Sequence, residues 1–189
     1  MKDKDLRAVG RWIYGLKGPG VLVVVQPVLA EKTSLINSLL RKGIKGVISG
    51  YLDKDLPDYA QYEDLIGYIQ SSDHSIVVLT GDVHFGRIAH GELRAGSGAK
   101  LVEVISSPMQ AVLDGNGKPL FGNYREAPTH HFPGLESMEV ARRQNHFATV
   151  EFRLGDGGRV NMKVRSWPIL RPGDGVPQGS QVEFETTLT

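Results

Sequence analysis

The stretch that decides the fold is "IVVLTGDVHFGRIAHGEL", Ile76 to Leu93. Four apolar residues lead to Thr80, and a glycine, an aspartate, a valine and a histidine follow. A short continuous run of this kind reads as a strand buried on both faces. Gly81 removes a side chain where the chain leaves the sheet. In extended backbone, positions two apart point to the same side, so Asp82 and His84 can converge on one point. Buried strands of α/β layers place ligand sites at their carboxyl ends. A carboxylate oxygen beside an imidazole nitrogen suits a divalent metal of intermediate hardness, such as Zn, Mn or Fe. Such ions take about four to six ligands, so two residues are only part of a site. A plainer reading stands beside this one. An Asp at a strand end caps a turn through its own backbone, and a His next to Phe85 sits half-buried.

Upstream of this stretch, strands and helices alternate. Leu6, Val9, Trp12, Ile13 and Leu16 recur at three- and four-residue steps and predict a helix from Lys2 to Leu16. "KGPG" (Lys17 to Gly20) stops it. "VLVVVQP" predicts a strand buried on both faces, limited by Pro27. "EKTSLINSLLRKG" reads as a helix and "IKGVISG" as a strand. "DLPDYAQYEDLIGYIQSS" reads as a loop entering a helix whose apolar side is Tyr62, Leu65, Ile66 and Ile69. The expectation is an α/β core of layered mixed sheets flanked by helices.

Downstream, "GRIAHGEL" and "AKLVEVISS" flank "RAGSG" and predict a hairpin. Gly115 to Pro133 reads as a long polar surface loop. "HFATVEFRL" and "RVNMKVRSWPI" flank "GDGG", a second hairpin. The expected domain covers 1–170, and 171–189 reads as an extended tail.

The 189 residues suit one domain with a sizeable core. A formal charge of +1 supplies no basic field for nucleic acid. With no cysteine, a disulfide framework and thiolate metal sites are excluded. No apolar run reaches the ~20 residues needed to span a bilayer. The first residues do not read as a secretion signal, so the expected location is cytoplasmic if the polypeptide truly starts at Met1.

"IVVLTGDVHFGRIA" resembles the Gly-Asp-Val-His block of the PhoD-like metallophosphatases, a branch of the calcineurin-like metallophosphoesterases. "GPGVLVVVQPVLA", "YAQYEDLIGYI", "LVEVISSPM" and "QNHFATVEF" resemble further segments of that family, in order, from about Leu6 to Ile169. The resemblance implies two packed mixed sheets with flanking helices. It also implies a site of two divalent ions (Mn, Fe, Zn or Ca) bridged by a carboxylate. In such sites the ions activate a hydroxide and stabilise phosphoryl oxygens. Asp82 would face one metal and His84 the other. The substrate would be a phosphate mono- or diester.

The family's other ligand elements are an Asp-x-His motif, a Gly-Asp carrying the bridging Asp, and a Gly-Asn-His or its equivalent. They have no counterpart in this sequence. The chain therefore resembles the C-terminal half of such a domain, expected to form a homo-oligomer or to pair with a complementing N-terminal half. The alternative expectation is a non-catalytic remnant or interaction module.

Other candidates are weighed singly. His130 and His131 in "APTHHFPG" are surface-loop residues, or lie beside substrate in a loop over the site. His146 and Asn145 in "RQNHFATV" either pack or face the site. Arg87 either holds phosphate oxygens or forms a surface salt bridge. There is no Gly-x-Ser-x-Gly elbow, phosphate loop or dinucleotide fingerprint.

Overall fold

The computed structural model describes residues 3–30, 56–81, 86–106, 131–132, 134–139, 146–169 and 179–189. Its elements are α1 (Asp3–Tyr14), β1 (Gly20–Val24), a 3-10 turn (Leu56–Asp58) and α2 (Tyr62–Gln70). Then come β2 (Ile76–Thr80), β3 (Gly86–Glu92), β4 (Lys100–Ser106), β5 (Glu136–Glu139), β6 (His146–Leu154), β7 (Val160–Pro168) and β8 (Gln181–Leu188). Among the described residues the strands form two sheets. One is mixed, in the order β1-β2-β4-β3-β5, and the other is β6-β7-β8. β1, β2 and β4 are parallel, and β3 returns antiparallel to β4. The second sheet is antiparallel throughout.

Side-chain alternation divides the mixed sheet into two cores. Ile76 and Val78 of β2, Leu101 of β4 and Ala89 of β3 face the helices. Leu6 and Ile13 of α1, and Tyr62, Leu65, Ile66 and Ile69 of α2, meet them there. Those four α2 residues are the side predicted from spacing. Val77, Ile88, Val102 and Val104 point the other way, onto Met162 and Val164 of β7 and Leu188 of β8. The order is thus helices, mixed sheet, antiparallel sheet. Each fully buried Val, Leu or Ile contributes about 1.5–3 kcal/mol of transfer free energy. β2, whose Ile76, Val77 and Val78 are all buried, is therefore the apolar spine of the molecule. α1 can lie close on β1 because Gly20 has no side chain. A Cβ there would come within 2.8 Å of the Trp12 ring.

Both predicted hairpins form, β3–β4 and β6–β7. Their loops contain Gly96, Gly98, Gly157 and Gly158 at positive φ, a backbone region that L side chains rarely adopt.

Three readings need correction. β1 is not buried on both faces: Val23 is 74% exposed. Its position at the end of the described sheet leaves the side away from the helices uncovered by any described residue. The surface-loop reading of 115–133 fails at Phe132, which is fully buried in the helix-side core. The extended tail over 171–189 ends in a strand. β8 pairs with β7, and Leu188 is fully buried. Its sequence, "QVEFETTL", lacks a continuous apolar run, so its pairing is a tertiary contact. Ser75 fastens the chain end: its N–H donates to the Thr189 carbonyl at 2.6 Å, and its Oγ accepts from the Thr189 N–H at 3.0 Å. The helix read in "EKTSLINSLLRKG" and the strand read in "IKGVISG" lie outside the described residues.

Candidate functional site

The topology singles out one edge. β2 lies between two parallel neighbours, in register Val24↔Thr80 and Thr80↔Ile105. Next to β4 the direction reverses, with Gly86↔Ser106 at the start of β3. The carboxyl ends of β1, β2 and β4 therefore lie together at one edge, and open α/β sheets bind ligands outside the carboxyl ends of their parallel strands. Gly81 leaves β2 at this edge. Asp82 and His84, the residues expected to contact metal, lie outside the described residues, as do Asn145 and His130.

The chain leaving β1 crosses the helix face of the sheet at this edge and is clamped there. Glu103 of β4 is fully buried. Its Oε1 accepts the Val28 N–H at 2.7 Å and the Leu29 N–H at 3.1 Å. Its Oε2 accepts from Arg87 Nη2 at 2.6 Å, and the same nitrogen donates to the Leu29 carbonyl. From above, the Tyr62 hydroxyl of α2 donates to the Val28 carbonyl at 2.9 Å. Burial raises the Tyr62 pKa far above its ordinary value, with the nearby Glu103 and Glu63 carboxylates adding to it. The phenol thus stays a donor.

Arg87 is 1% exposed and bound to Glu103. The expectation of a phosphate-holding or surface-paired arginine does not match this placement. A buried guanidinium requires a carboxylate partner; Arg87 pairs with Ile105, and Glu103, two positions from Ile105 along β4, supplies it on the same face. Glu103 was not singled out from sequence. Its signal was present: it is the one charge inside "LVEVIS".

His131 and His146 are not brought together. His131 lies against α2, its ring edge-on to Tyr62 at 5.6 Å and its carbonyl accepting from Gln70 Nε2. Its Nε2 is 3.9 Å from the Glu63 carboxylate. This is the helix layer, not a loop over the strand ends. His146 opens β6 opposite Pro168 and is 1% exposed. The other end of the hairpin is placed by Leu188, which pairs with Val160 next to the Ser75–Thr189 fastening at the start of β2. His146 therefore lies toward the carboxyl ends of β2 and β4, and its alternation with Ala148 and Val150 turns it toward the second core.

Thr80, which sequence reasoning passed over, is buried at the same edge. Its Oγ1 finds no hydrogen-bond partner among the described residues.

Among the described residues no group of three His, Cys, Asp or Glu side chains is placed to hold a metal ion. Among the described residues, His146 supplies an imidazole toward this edge and Thr80 a buried hydroxyl. A divalent centre here would need the oxygen and nitrogen donors of Asp82 and His84.

Comparison with family models, curated proteins and solved structures returned no match.

Proposed function

We propose that this chain is a metal-dependent phosphoesterase of the PhoD-like kind, hydrolysing phosphate mono- or diesters. One observation carries the reading. The strand that leads into Gly81-Asp82-Val83-His84 is the buried centre of three parallel strands. Its carboxyl end lies beside those of its parallel neighbours β1 and β4, so the motif begins, at Gly81, on the side of the sheet where open α/β sheets bind ligands. The arrangement of two sheets with helices on one side is compatible with a metallophosphoesterase sandwich.

Asp82 and His84 would hold the divalent ions, with the remaining ligands, which have no counterpart in this sequence, contributed by a complementing partner. The ions would supply an activated hydroxide and charge stabilisation at phosphorus. The residues of this chain supply position. The Arg87–Glu103 clamp holds the segment after β1 against the sheet, and the rigid β2 fixes where the motif starts. Such support sets the geometry on which ligand placement depends.

The test is metal content by mass spectrometry after loading with Mn, Zn or Fe, together with hydrolysis of bis-p-nitrophenyl phosphate. Asp82→Asn and His84→Ala should each lower bound metal and abolish turnover. Metal content unchanged in both variants would refute the assignment. A wild-type chain that takes up no metal would favour the non-catalytic module instead.

A further inference from the structure

Among the described strands the mixed sheet ends in β5 on one side and β1 on the other. Charged residues on an edge strand keep it from pairing with another chain. β5 has that guard, with Glu136 and Glu139 in a strand of four residues. β1 has none: it carries no charge, no proline and no register shift. The Gly20 N–H donates to the Ser75 carbonyl at 2.9 Å. In a parallel ladder alternate residues bond to the same neighbour, so Gly20, Leu22 and Val24 serve β2. Val21 and Val23 turn their N–H and C=O groups to the open side, where no described strand pairs with them. Both side chains are also exposed, Val23 to 74%. They stand in register with Val77 and Leu79, so they prolong the apolar face that β2 turns to the second sheet.

Such an edge fits a copy of itself. Antiparallel pairing about a twofold axis at Leu22 sets Val21 of each copy against Val23 of the other. Each of these pairs exchanges two backbone hydrogen bonds, about four in all, and β-branched side chains pack well on the pleated surface. No like charges meet, because Gly20 to Gln26 is uncharged. A formal charge of +1 leaves little repulsion between whole chains. β5 cannot do the same, since self-pairing there would crowd the Glu136 and Glu139 carboxylates of two copies together.

We propose that β1 is the contact edge of a homodimer, in which a second copy of this chain pairs its own β1 antiparallel across a twofold axis. The two mixed sheets then run on as one. This contact is independent of the phosphoesterase reading. It brings no ligand to the motif after Gly81, because antiparallel pairing sends the carboxyl ends of the two β1 strands to opposite ends of the joint. With five residues of strand on each side, it belongs to the small, dissociable interfaces below ~1,200 Å².

Sedimentation equilibrium of the full chain over about 1–300 µM reads the association. Wild type should pass reversibly from monomer to dimer and stop there, because a twofold contact closes. Val23→Lys puts a charge into the joint at a side chain that the single chain leaves exposed, and unchanged thermal unfolding in dilute solution checks that the fold is kept. Its dimer Kd should rise at least about tenfold. Leu154→Lys, at an exposed leucine of β6, should leave the Kd unchanged. In wild type, hydrogen exchange at the Val21 and Val23 amides should slow as concentration rises. A chain that is monomeric at every concentration leaves this edge to a strand of different sequence and overturns the homodimer. So does a dimer that Val23→Lys does not weaken, equal weakening by both lysines, open-ended association, or exchange at Val21 and Val23 that ignores concentration.

Discussion

Replacing Glu103 by leucine should be among the most damaging single changes in the molecule. The carboxylate is fully buried and accepts three hydrogen bonds, from Val28, Leu29 and Arg87. Removing it strips a buried guanidinium of its counter-charge, at a cost of about 3–5 kcal/mol. Two backbone N–H groups also lose their acceptor, about 1–3 kcal/mol each if water does not reach them. The sum is of order 5 kcal/mol or more, against a total stability of about 5–15 kcal/mol for a domain. Arg87→Met should cost less, about 3 kcal/mol, because the remaining carboxylate keeps its two amide donors. The decisive variant is the double Glu103→Leu/Arg87→Met. It removes both charges, so it should be more stable than Glu103→Leu alone by about 1–3 kcal/mol. Urea unfolding followed by tryptophan fluorescence measures all three. Hydrogen exchange at Val28 and Leu29 reports the crossing segment directly, and protection there should collapse in Glu103→Leu. Additive destabilisation in the double variant, or intact protection in Glu103→Leu, would refute the clamp.

Three further expectations follow from the packing. The Tyr62 pKa is raised above its ordinary value of 10.0. Its contribution to stability is therefore complete below about pH 10 and is lost as pH rises above that value. Wild type should lose stability there by up to about 1.4 kcal/mol per pH unit more than Tyr62→Phe, and parallel alkaline denaturation profiles would contradict this. Leu188→Ala should cost about 2–5 kcal/mol by chemical denaturation, whereas a loose tail would show almost no change. The glycines of the two described helices should respond in opposite directions. Gly10→Ala sets a Cβ 2.8 Å from the Tyr68 ring and should destabilise by about 1–3 kcal/mol. Gly67→Ala meets open space and should raise the melting temperature, by up to about 1 kcal/mol of helix propensity.

Much of this architecture was legible in local pattern. The continuous run Ile76–Leu79 identified β2, the spacing of Tyr62, Leu65, Ile66 and Ile69 identified the buried side of α2, and glycine-rich turns identified both hairpins. These signals work because helix and strand periods are properties of the nearest few residues. The motif at Asp82 and His84 was read in the same way, as a change of grammar at the end of a buried strand, and both residues lie outside the described ones.

What the tertiary structure decided depends on residues far apart in the chain. The burial of Arg87 follows from Glu103 sixteen positions away and a Leu29 carbonyl fifty-eight away. Neither partner can be inferred from the neighbours of Arg87, so the residue looked like a surface or substrate-facing cation. β8 is a strand because β7 offers an edge and Ser75 fastens Thr189, not because "QVEFETTL" has a decisive period of its own. Val21 and Val23 have the composition of a fully buried strand, yet β1 stands at the end of the described sheet and leaves them exposed. Composition and period are local and can be read directly from the sequence. Strand order, the partner of a buried charge and the covering of a sheet face are long-range, and the sequence by itself does not state them.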